Sequence, residues 1–195
     1  MNYTDIPESD RLVLLGLAED IIAYGVEAGR YKPIDRKQYP QHLSELGASF
    51  VTLYLEGSLR GCIGNLRANR PLIEDVAHNA YASAFKDPRF EPLVWREFLH
   101  LQIEISVLSS LQAIEFENEE NLLQQLRPGV DGIVLADGHY RATFLPKVWE
   151  HLPGKRAFLE QLKMKAGLRD DYWSDSMQVQ RYTTSTFTTR ETKQA

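Results

Sequence analysis

The sequence predicts an α+β fold, a mainly antiparallel sheet flanked by helices. Stretches with period-two alternation mix with amphipathic helical stretches, and their order lacks the regular strand–helix–strand alternation of a parallel sheet. Two turn signals, Glu56-Gly57-Ser58 and Asp137-Gly138, join neighbouring strands directly, as antiparallel pairing allows. A length of 195 residues suits one large domain or one domain with a small appended lobe, and an apolar share of 43% supplies a core without disulfide or metal.

Each element has its own signal. Ser9 caps a first helix running to about Gly29, with Leu12, Leu15, Ile22 and Val26 on one face. A loop rich in Pro, Lys and Tyr follows, RYKPIDRKQYP. Ser49 to Leu55 alternates as a strand, and the chain returns through Leu59 to Gly64, LRGCIG, as its hairpin partner. Pro71 opens a second helix that turns Ile73, Val76, Ala77, Ala80 and Ala84 inward. Asp87-Pro88 ends it, because a residue before proline avoids helical angles. His100 to Ser106 forms the next strand, with Leu99, Leu101, Ile103, Ile105 and Val107 as its apolar side. Glu119 to Leu126 is helical and stops at Pro128-Gly129. Gly132 to Ala136 and His139 to Phe144 flank the Asp137-Gly138 turn, and Pro146 opens a short helical turn. A helix from about Lys155 ends at Gly167, and Met177 to Thr189 is a last strand.

Composition excludes several classes of function. A net charge of −5 argues against general nucleic-acid affinity. No apolar stretch approaches the roughly 20 residues that span a bilayer. The start, MNYTDIPESDR, lacks the basic and apolar regions of a secretory signal. A cytoplasmic location is therefore expected, where the sequon Asn2-Tyr3-Thr4 would be idle. One cysteine rules out an internal disulfide and a four-cysteine zinc site. The histidines show no metal spacing, GCIG lacks the pattern of a dinucleotide or phosphate loop, and no cofactor is predicted. Ser83-Ala-Phe-Lys86 matches a serine–lysine dyad string, but so short a pattern in an Ala-rich helix arises by chance.

Cys62 is the residue that raises a chemical question. Alternation in LRGCI places Leu59, Gly61 and Ile63 on one face and Arg60 with Cys62 on the other. The strand at 100–106 leaves His100, Gln102, Glu104 and Ser106 opposite its apolar side, and His139, Arg141 and Thr143 do the same further on. Three strands thus offer a polar face with one thiol, two arginines, two histidines and a carboxylate. A free thiol with a pKa of about 8.5 is only a few per cent thiolate at neutral pH, and a neighbouring cation raises that share. Gly61 and Gly64 would admit a ligand or a second backbone, and their N–H groups could hold an oxyanion. The bland reading stands beside this one: free cysteine usually packs as a small hydrophobe, and no histidine sits in a cysteine-hydrolase pattern.

LRGCIG, AYASAFKDPRFEPL (80–93), EISVLS (104–109), PGVDGIVL (128–135), ATFLPKVWE (142–150) and FLEQLKMKAGL (158–168) together resemble the AMMECR domain family. Its microbial members are labelled protein A of the AmmeMemoRadiSam system. The resemblance covers nearly the whole chain in order, and the hexapeptide 59–64 is intact. It implies a single domain of two lobes, the second smaller, with a cleft near residues 59–64. It also implies association with a Memo-type protein and a radical-SAM-type protein, and no settled reaction.

Three functions follow. In the first, a small enzyme or enzyme component uses Cys62 as nucleophile or redox thiol, with Glu104 or a histidine moving protons. Arg60, Gly61, Gly64, His100 and Arg141 would then bind substrate, including a small anionic ligand. The second is a non-catalytic adaptor or ligand-binding module in which LRGCIG is a rigid turn. The third, RNA binding through Arg60, Arg67, Arg70 and Arg89, has the least support.

Overall fold

A computed structural model describes residues 6–189, so the sequon at Asn2 lies outside the described residues. Its helices and antiparallel sheets make the α+β class plain, and the chain divides into two compact units. The first runs to Leu108 and resumes at Ser185; the second is Ser109–Thr184.

The first unit begins with helix α1, Glu8–Ala28, which ends on Gly29 at φ 67°, a left-handed cap that suits glycine. No side chain caps its N-terminus. Its buried stripe runs through Leu14, Leu15, Ala18, Ile21 and Ile22, while Leu12 is 48% exposed. The expected inward position of Leu12 is therefore off the true stripe. Two short 3₁₀ turns at Arg36–Gln38 and Gln41–Ser44 occupy the Pro- and Tyr-rich loop. Short strands β1, Leu46–Gly47, and β4, Arg70–Pro71, pair with each other.

Strands β2, Ser49–Leu55, and β3, Ser58–Gly64, form the expected hairpin. Helix α2, Leu72–Phe85, follows, then the four-residue helix α3, Trp95–Phe98, and strand β5, Leu101–Leu108. The main sheet, which also takes in strand β10, Thr184–Thr188, has the order β10-β5-β2-β3, which leaves β3 at an edge. Val51, Leu53, Ile103, Ile105 and Val107 point to one side of it and share a core with α1 and α2. The residues between them, Thr52, Glu104 and Ser106 among them, take the other face.

The second unit holds β6, Gln112–Ile114, helix α4, Glu119–Gln125, strands β7, Gly132–Asp137, and β8, Tyr140–Phe144, helix α5, Lys155–Lys165, and β9, Gln178–Tyr182. Its sheet order is β6-β9-β7-β8. The Trp149 ring stacks on Phe158 at 3.6 Å between centroids, and its indole N–H donates to the Asp131 carbonyl at 2.7 Å. Leu122, Ile133, Leu135 and Leu162 complete that core.

The tail differs from expectation. Instead of one strand over 177–189 there are two, β9 in the second sheet and β10, Thr184–Thr188, in the first. Thr183 is the break between them.

Candidate functional site

Strand β3 is bound to the helix beneath it by side chains that recur every four residues. Asp75, Asn79, Ser83 and Asp87 are all buried, and each reaches the main chain of β2 or β3. Asp75 accepts from the Ser49 N–H at 2.8 Å and the Ser49 hydroxyl at 2.7 Å, and Asn79 donates to the Ser49 carbonyl. The Ser83 hydroxyl donates to the Val51 carbonyl at 2.7 Å and accepts from the Ile63 N–H at 2.8 Å, standing between two strands. Asp87 accepts from the Cys62 N–H at 2.9 Å, and Arg89 donates to the Cys62 carbonyl at 3.3 Å. An edge strand normally leaves such groups to water or to another chain. Here an ion pair occupies them.

The two signature glycines answer to the same packing. A Cβ on Gly61 would run into the Ser83 carbonyl oxygen, and one on Gly64 into the Phe50 ring. The close approach that glycine was expected to permit comes from the protein's own helix and a neighbouring ring.

A bulge changes the expected faces. Gly61 lies opposite Leu53 but Leu59 lies opposite Tyr54, so Arg60 is the extra residue. Tyr54 shares a face with Thr52, the partner of Cys62, so Leu59 moves to the Cys62 face instead of joining Gly61 and Ile63. Arg60 is turned to another task. Its Nε and Nη2 donate to the two oxygens of Glu97 at 3.1 and 3.0 Å, and Nη2 also donates to the Glu91 carbonyl. Its remaining nitrogen, Nη1, is buried with no hydrogen-bond partner among the described residues, and the guanidinium carbon sits 5.6 Å from the Phe90 ring centroid. That pair holds the Glu97 carboxyl below its usual range. The Arg60 guanidinium, expected among the substrate-binding groups, is engaged with Glu97 and the Glu91 carbonyl.

Cys62 is half-buried, and the Thr52 hydroxyl donates to its sulfur at 3.3 Å. Thr52 lies opposite Glu104 on its other side, so Cys62, Thr52 and Glu104 form one row across three strands. Glu104 is consequently two strand spacings from Cys62, roughly 10 Å between backbones. It is buried, with the Tyr54 hydroxyl donating to it at 3.4 Å.

The other expected site residues lie elsewhere. His100 is exposed in the turn before β5, outside the strand. Arg141 and His139 belong to the second unit's sheet region, Arg141 on β8 and His139 in the turn before it. The single three-strand polar face is thus corrected to a face of the first sheet alone. The sequence pattern could not separate the sheets because both alternate in the same way. In the arginine cluster, Arg89 pairs with Asp87 at 2.6 Å and Arg70 approaches Asp75 at 3.6 Å, so most of its charge is met within the fold. Ser83 of the dyad string is buried in the β2–β3 ladder, while Lys86 is exposed. The polar series of α2, continued by Asp87 just past its end, was the feature missed, though its four-residue spacing is visible in the sequence.

Charge in this region is local and compensated. The Arg89 guanidinium holds the Asp87 carboxyl far below the usual carboxylate range. Burial pushes Asp75 up, against the donors from Ser49 that favour its charged form. Among the described residues no group of three or more His, Cys, Asp or Glu side chains could hold a metal ion. None of their helices is long and apolar enough to cross a membrane.

Comparison with known proteins places these features in context. The AMMECR1 family model matches residues 15–187. Protein MJ0810 of Methanocaldococcus jannaschii is 33% identical over 160 residues, 80% of each chain. Protein MK0488 of Methanopyrus kandleri is 34% identical over 168 residues, 82% of this chain and 78% of that one. The crystal structure of an uncharacterized protein, PH0010 from Pyrococcus horikoshii, superposes with a TM-score of 0.83 at 32% identity. It spans 90% of this chain and 89% of its own.

Proposed function

The chain belongs to the AMMECR1 family, and from that premise we propose that it is a non-catalytic binding component whose LRGCIG strand is a structural keystone. Its partners on this reading are the Memo-type and radical-SAM-type proteins that the family resemblance implies, met in the cytoplasm. One observation carries the proposal: the signature's distinctive residues are committed inside the fold. Gly61 accommodates α2, Gly64 accommodates Phe50, Arg60 binds Glu97, and the Cys62 main chain binds Asp87 and Arg89. A nucleophilic cysteine is activated by a base within hydrogen-bond reach or by a charged neighbour that favours its thiolate. The partner of this sulfur is a threonine hydroxyl, with Glu104 one strand beyond it. Calorimetric titration with purified Memo-type and radical-SAM-type proteins tests the reading. Saturable binding to at least one, unchanged in Cys62→Ala, is expected. Absence of binding to both, or its loss on removing the sulfur alone, overturns it.

A thiol-based enzyme is the second reading, and the half-buried Cys62, whose sulfur accepts from Thr52, favours it. This reading predicts that iodoacetamide labels Cys62 at neutral pH well above the rate of free cysteine, and that Thr52→Val slows the reaction. Labelling no faster than free cysteine in both proteins would remove it.

A further inference from the structure

We draw no further inference here: the strongest candidate, the exposed apolar patch of Val94, Trp95 and Leu99 at the short helix α3, carries nothing because nothing in the structure shows what covers it.

Discussion

Asp87 has the clearest electrostatic signature of any residue near the signature strand. Its carboxylate accepts from the Cys62 N–H and from three nitrogens of Arg89, the backbone N–H, Nε and Nη2. The Arg89 guanidinium, aided by the Cys62 N–H, lowers its pKa in the folded protein. The unfolded value is about 3.9. A carboxylate depressed in this way adds stability above the unfolded value and loses it as pH falls through the folded one. Asp87→Asn should therefore cost about 1.5–3 kcal/mol at neutral pH, the range for hydrogen bonds to a charged group. The difference between the two proteins should shrink steadily below about pH 4, as Asp87 of the unfolded wild-type chain takes up its proton while the folded carboxylate stays charged. Urea melts of both at neutral and acid pH would measure it. A gap that stays constant into strong acid would mean that the charge contributes nothing. None of this was legible beforehand, because Asp87-Pro88 reads in one dimension only as a helix stop. That the same carboxylate turns back to β3 depends on where the helix lies in space.

Helix α2 shows why the element scale was partly legible. Its apolar stripe, Ile73, Val76, Ala77, Ala80 and Ala84, is buried as the spacing predicts. Apolar burial follows from periodicity alone. The polar series at 75, 79, 83 and 87 has the same regularity, yet such a row ordinarily marks a solvated face. Here it lies over β2 and β3, where small residues let it come close. The glycine at 61 and the serine at 83 are two halves of one fit, since the helix backbone rests where a side chain would be. Ser83→Ala removes the hydroxyl between the Ile63 N–H and the Val51 carbonyl, and leaves both short of a partner in a buried place. The expected cost is about 1–3 kcal/mol, seen as a lower urea midpoint with faster amide exchange at Ile63. Unchanged exchange there would show that the two strands close the gap by themselves. The bulge at Arg60 was also out of reach of sequence reading: a single inserted residue inverts the alternation on one side of it, and LRGCIG contains nothing that announces the insertion.

At the scale of the whole molecule, the course of the chain matters more than any one motif. The family resemblance and the α+β class were both legible because they rest on long stretches read in order. The division of strands between two sheets was not, because pairing partners are distant in sequence and every strand alternates alike. The tail is the instructive case. Residues 178–182 complete the second unit's sheet, and after Thr183 residues 184–188 return to the edge of the first. The first unit is thus discontinuous, built from a long N-terminal stretch and a short C-terminal strand. Phe187 is 2% exposed and belongs to the same core as Val51, Ile105 and Ile21. Its loss removes both apolar area and packing, so Phe187→Ala should destabilise the first unit by about 3–5 kcal/mol. Amide exchange read residue by residue is the measurement, with β2 and β5 expected to lose protection. Protection of β2 and β5 unaltered in Phe187→Ala would show that the first unit holds its sheet without the returning strand. The discontinuous core would then be a matter of proximity and not of stability.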